Sequence, residues 1–166
     1  MLLIVYYDYY ILKYNFILVY TVIHIDQIIK DMEIMDDDND RYQYLIELGK
    51  KLPIFPKEKQ IESNMEKECA SALWRSIEFE NIEGDYHIIK LYLFSDSHII
   101  RGLLYIVQSI YEGKKAHEIA KINSTKIFNE MQLIEILSIK RTNGIYSVIG
   151  KINTAAKQCM INNHLK

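Results

Sequence analysis

Apolar residues recur along most of the chain with the period of a helix or of a strand. Ile25, Ile28, Ile29 and Met32 follow the i, i+3, i+4, i+7 spacing of one helix face, with Asp26 in the first turn. The acidic run Asp36-Asp37-Asp38-Asn39-Asp40 ends that helix and offers caps for the next. A second helix, from Arg41 to Lys51, turns Tyr44, Leu45, Leu48 and Leu52 inward, and Pro53 and Pro56 stop it. Lys57 to Lys67 is polar and reads as an exposed loop, with a short extended piece leading up to Cys69. Then the period changes to two. Leu73, Ile77 and Phe79 alternate with Trp74, Ser76 and Glu78, and Tyr86 to Phe94 sets Ile89, Leu91 and Leu93 on one face. Asn81 to Asp85, with Gly84, supplies the turn of an antiparallel hairpin.

The helical period returns after Ser97, a candidate cap. Its stripe is Ile99/Ile100, Leu103/Leu104, Val107 and Ile110/Tyr111, and Gly113 stops it. Short helices follow over Lys115 to Lys121 and Thr125 to Met131, the second capped by Ser124. Ser138 opens a turn into a last helix whose stripe is Ile145, Val148, Ile149, Ile152, Ala155, Ala156 and Cys159. With no internal repeat and no linker, residues 24–163 read as one α+β domain.

Residues 1–23 stand apart. They are strongly apolar, but Asp8, Lys13 and Asn15 interrupt the run. The clean stretches fall short of the ~20 residues a span requires. Neither a basic leader nor a small-residue cleavage site is visible. The segment reads as an apolar N-terminal extension, with membrane attachment as its alternative.

Composition narrows the function classes. Hydrophobic residues make up 49% and charged residues 25%, a globular balance. Net charge is −2, from 20 basic and 22 acidic residues, without the basic footprint of a nucleic-acid binder. The two cysteines, Cys69 and Cys159, could form one disulfide at most, and a reducing cytoplasm is the simpler setting. No C-x-x-C pair, zinc spacing, G-x-G-x-x-G or P-loop occurs. Two thiols also make a poor ligand set for an iron–sulfur cluster, which usually takes four protein ligands, mostly cysteines. The acidic run lacks the central Gly and closing Glu of a calcium loop. A Cys–His hydrolase would need His87 or His98 as base, and lone histidines are usually surface or core residues.

The thiols remain. Cys159 lies on the apolar stripe of the last helix and reads as packing. Cys69 belongs to no hydrophobic period. It lies between the charged Glu66-Lys67-Glu68 and the first strand, on a loop at the end of a sheet. Rigidly held loops are where reactive groups concentrate. Residue types alone leave both an inert and a reactive thiol open.

The motifs around Cys69 narrow the choice. Asp40 to Pro53 (DRYQYLIELGKKLP) is similar to the first conserved block of the SufE family of cysteine-desulfuration proteins. Asn64, Cys69, Ser71 and Trp74 resemble its active-site block, written N-x-V-x-G-C-Q-S-x-V-W. Ser95-Asp96 followed by Ile99-Ile100-Arg101-Gly102-Leu103 resembles its S-D-x-x-I-V-[KR]-G-L helix start. Leu137-Ser138, Arg141 and Gly144 resemble its L-S-x-x-R-x-x-G turn. Glu68 and Ala70 depart from the family's Gly and Gln on either side of the cysteine.

The resemblance implies a small three-stranded antiparallel sheet packed against helices, the architecture also of NifU- and IscU-type scaffolds. It implies that Cys69 accepts sulfur as a persulfide from a SufS-type cysteine desulfurase and passes it to a SufBCD-type scaffold, with no cofactor or metal of its own. A module that binds and stimulates the desulfurase without carrying sulfur is the alternative, and Glu68 and Ala70 are what keep it open. Arg101, Arg141, Asp96, Ser71 and Trp74 become residues for docking the partner or supporting the loop. For the two arginines the plainer role is a helix-start cation with a carboxylate neighbour. For Asp96 it is a helix N-cap, and for Trp74 a core anchor behind the loop. Cys69 itself is expected to be largely buried, on a hinged loop.

Overall fold

The structure is a computed structural model and describes residues 25–164, except 68, 70, 84 and 85. The expectations for residues 1–23, for Glu68 and Ala70, and for Gly84 at the hairpin turn therefore lie outside the described residues. The elements run α1 (Ile25–Glu33), α2 (Asp38–Lys50), β1 (Leu73–Glu83), β2 (Tyr86–Ser95), α3 (His98–Tyr111), α4 (Ala116–Ile119), α5 (Ser124–Glu130), α6 (Leu133–Ile136) and α7 (Ile139–His164).

The periodicities settle into these elements. Ile28 and Met32 of α1 are buried, with Ile25 and Ile29 packed beside them. Helix α2 starts at Asp38, three residues before the spacing suggests. Asp37 is extended and its carboxylate accepts from the Asn39 N–H at 2.6 Å, satisfying a donor that would otherwise be orphaned. Leu45 and Leu48 carry the inner face of α2 and meet α3.

Helices α2 and α3 cross at backbone distance. A Cβ added at Gly102 would lie 2.1 Å from the carbonyl oxygen of Leu45, and one at Gly49 would lie 2.9 Å from the Gly102 nitrogen. Two glycines thus let the helix backbones touch. From Ile100 to Val107 every residue is buried except Arg101. This makes α3 the axis of the core: it packs on α2, β2, α7 and α1.

β1 and β2 pair antiparallel, with Ile77 opposite Leu91 and Phe79 opposite Ile89. This row faces the helices. Arg75, opposite Leu93, stands in the same row and interrupts it with a charge. The sheet has two strands among the described residues, not three. Its flanks explain the shortfall. Upstream, residues 57–59 and 62–64 wind into 3-10 turns, leaving little extended chain before the cysteine loop. Only Met65 pairs with β1, through a single bridge to Trp74. On the other side Lys115 makes one bridge to Ile88, and Ile89 exchanges hydrogen bonds with Lys114 and Gly113 at 2.9 Å. Single bridges cover both edges without adding a strand.

Asn123, not Ser124, caps α5. Its side-chain oxygen accepts from Lys126 N at 3.0 Å, while Ser124 is buried inside the helix. On α7, Ile145, Val148, Ile149, Ile152 and Ala156 are buried, as the stripe predicts, and Cys159 is partly buried at its end. No helix among the described residues is long and apolar enough to cross a membrane.

Candidate functional site

Cys69 lies between two arms, residues 65–67 before it and 71–72 after it, that are tied at the base. The Glu66 N–H donates to the Leu73 carbonyl at 2.8 Å, beside the Met65–Trp74 bridge. On the descending arm, the Ala72 carbonyl accepts from Asp96 N–H at 3.2 Å, fastening the loop to the start of α3. Cys69 lies midway, with its thiol free.

The loop folds down onto the first turns of α7. A Cβ at Gly144 would come within 2.9 Å of both the Sγ and the Cβ of Cys69. No real Cβ tolerates that approach, so Gly144 is the seat on which the cysteine rests. Cys69 packs against the core on this side yet is only partly buried. Where a largely buried thiol is expected, the residue is partly buried, with α7 beneath its side chain.

The ascending arm carries a second attachment. The Glu66 carboxylate is buried, its side chain 1% exposed. Lys151, from α7, donates to it at 2.6 Å. Arg75 Nε, from β1, stands 3.4 Å away, too far or too misaligned for a hydrogen bond but close enough to act by charge. Burial pushes the Glu66 carboxyl upward. The hydrogen bond and charge of Lys151, a hydrogen bond from Ser147 and the charge of Arg75 outweigh it, leaving the group below its ordinary value. One carboxylate therefore joins the loop, the sheet and the last helix. It borders an open groove lined also by Glu62, Ser63, Met65 and Lys67.

The remaining predicted residues divide. Asp96 is exposed and does not cap α3; Ser97 does, its hydroxyl accepting from Ile100 N at 3.4 Å. The part of Asp96 in the site is its backbone N–H, at the base of the cysteine loop. Ser71 is half-buried on the descending arm. Trp74 lies on the sheet face opposite the helices. Its ring sits 5.9 Å from Phe94, which in turn lies 6.3 Å from Phe55. It anchors this outer aromatic cluster rather than the main core, because the two-residue period puts it opposite in facing to Leu73.

Arg141 is half-buried in the first turn of α7, three residues before Gly144, which puts it one turn from the thiol's seat. Arg101 belongs elsewhere. Its stem lies at the α2–α3 crossing, its guanidinium meets the His98 ring, and its buried Nε has no hydrogen-bond partner. Neither arginine forms an ion pair with a carboxylate among the described residues. No group of His, Cys, Asp and Glu among the described residues could hold a metal ion.

Sequence reasoning passed over Glu66, Arg75, Gly144 as a seat, and Lys151. Signals existed for three of them. Glu66 occupies the apolar third position of N-x-V-x-G-C, Arg75 stands in an apolar strand row, and Gly144 belongs to the quoted turn. Nothing local marks Lys151.

Residues 26–156 match the family model "SufE: Fe-S metabolism associated domain". An uncharacterized SufE-like protein of Rhizobium etli is 41% identical over 80% of this chain and 89% of its own length. The cysteine desulfuration protein SufE of Wigglesworthia glossinidia brevipalpis is 31% identical over 80% and 90%. The sulfur acceptor protein CsdE of Escherichia coli K12 is 32% identical over 72% and 78%. A solution structure of a hypothetical protein from Thermus thermophilus superposes with a TM-score of 0.63 at 14% identity, covering 82% of this chain and 96% of that one. That likeness extends to the fold alone. The match across most of the chain makes this protein a member of the SufE family.

Proposed function

We propose that the protein is a sulfur acceptor and carrier. Cys69 takes sulfur from the persulfide of a SufS-type cysteine desulfurase and passes it to a SufBCD-type scaffold during iron–sulfur cluster assembly, in the cytoplasm. The observation that carries this reading is a free, partly buried thiol that rests on a glycine between two arms tied at their bases. Such a thiol is held in place and can still be reached. The names borne by the relatives, a cysteine desulfuration protein and a sulfur acceptor, point the same way.

The chemistry is thiol exchange. The Cys69 thiolate attacks the outer sulfur of the donor's persulfide, the donor's sulfur–sulfur bond breaks, and its cysteine leaves as thiolate. Cys69 then carries the outer sulfur as its own persulfide. The rate depends on thiolate fraction, nucleophilicity and access. The chain supplies position and partial cover. The donor supplies the oxidised sulfur, so no further oxidant is required.

Mixing the protein with such a desulfurase and free cysteine should add about 32 Da at Cys69, one sulfur atom. Cys69→Ser should abolish both the mass gain and the onward transfer. Stimulation of the desulfurase by the wild-type chain with no mass gain at Cys69 would reject the carrier and leave a docking module in its place.

A further inference from the structure

We propose that Glu66 is a positioning residue for sulfur transfer: its carboxylate, gripped by Lys151 and Arg75, latches the arm leading to Cys69 onto α7 and sets how far the thiol is exposed. The inference rests on Cys69 being the carrier and adds what governs access to it.

Three observations bear on it. Glu66 lies three residues before Cys69 and, among the described residues of the ascending arm, is the last bonded to the sheet, through its N–H to Leu73. Its side chain is 1% exposed, and its carboxylate is held by Lys151, by a hydrogen bond from Ser147, also on α7, and by the charge of Arg75. Lys151 sits on α7, two helical turns beyond Gly144, the residue that seats the thiol. The arm and the seat are therefore fastened to the same helix. While the pair holds, Cys69 lies against Gly144; when it parts, the arm loses its charged hold on α7 and the thiol can leave its seat. The Lys151 side chain is 41% exposed and opens onto the groove beside the loop. The latch is buried at its acidic end and reachable from solvent at its basic end, which suits a fastening that must release.

The test uses the full chain with both cysteines and a bulky maleimide, reading alkylation of Cys69 and Cys159 separately by peptide mass spectrometry. Glu66→Gln and Lys151→Met should each speed labelling of Cys69 about tenfold, since breaking a buried pair is costly to the closed state. Cys159, at the far end of α7, should keep its rate. Lys151→Arg should stay near wild type. Added salt should speed Cys69 labelling in the wild type more than in Lys151→Met, where only the Arg75 charge still faces the carboxylate.

An unchanged Cys69 rate in both variants overturns the latch. So does an equal rise at Cys159, which would mean general loosening. Should Glu66→Gln fail to fold, the Lys151 pair of variants decides alone, because that side chain already reaches water. A wild type that gains no sulfur from the desulfurase rejects the carrier reading and leaves this labelling contrast to be judged separately.

Discussion

The α2–α3 crossing and the base of the cysteine loop are both places where distant segments are fastened together, by opposite means. At the crossing, backbone meets backbone over Gly102 and Gly49, with Leu45 and Leu48 beside them. Nothing there can be exchanged for water or for another partner. At the loop, the fastening is one carboxylate between a lysine and an arginine, with two backbone ties and a glycine seat. Close packing tolerates no loosening and contributes a fixed frame. An ion pair with one end in solvent contributes less and can come apart. The molecule puts the first where the scaffold must hold and the second where a thiol must be offered.

The strongest way to break the comparison is at the crossing. Gly102→Ala puts a Cβ 2.1 Å from a carbonyl oxygen that cannot move without its helix. The cost should be about 3 kcal/mol or more, outweighing the gain of about 1 kcal/mol in helix propensity. Denaturant unfolding would read it. A stability equal to wild type would mean that the helices separate easily, and the frame would be no stiffer than the loop.

How much of this was legible follows from the range of each signal. Helix α1, the hairpin faces, the α3 stripe and the α7 stripe could be read because hydrophobic period reports facing within one element. The crossing glycines stood inside recognisable motifs, although their reason became plain only when the helices met. The missing third strand could not be read, because a short extended piece such as Met65-Glu66 looks alike whether it pairs once or many times. Asp96 and Ser97 are both good caps by residue type, and only the backbone path chooses between them. Trp74 could have been placed, since the period had already put it in the row opposite Leu73. The pairing of Glu66 with Lys151 could not, because no local rule says which distant charges come together.

The second prediction asks whether the loop fastening is ionic. Glu66 has a lowered folded-state value, so its contribution to stability is fully present above the ordinary carboxyl value of 4.5 and is lost as pH falls through the lower folded value. At neutral pH, Glu66→Gln should cost about 1–2 kcal/mol, less than a fully buried pair because Lys151 is partly in water. The gap to wild type should close as pH drops below 4.5. Thermal unfolding across pH reads both. A gap that does not change with pH would mean the carboxylate acts by shape and not by charge, and the contrast with the crossing would vanish.

The smallest stability effect should come from Gly144→Ala, and it sharpens the comparison most. The residue lies inside α7, so Ala gains up to about 1 kcal/mol of helix propensity over Gly. The added Cβ would sit 2.9 Å from the Cys69 side chain, and overpacking of that kind costs about 1–3 kcal/mol where the neighbour cannot yield. Here the neighbour is a half-buried loop residue and not a helix backbone. The loop should give way, the two terms should nearly cancel, and global stability should change by less than about 1 kcal/mol. The displacement would appear at the thiol instead, as faster alkylation of Cys69. The same kind of substitution would then destabilise the frame at Gly102 and merely unseat the cysteine at Gly144. A large loss of stability at Gly144 would show the loop to be as rigidly packed as the crossing.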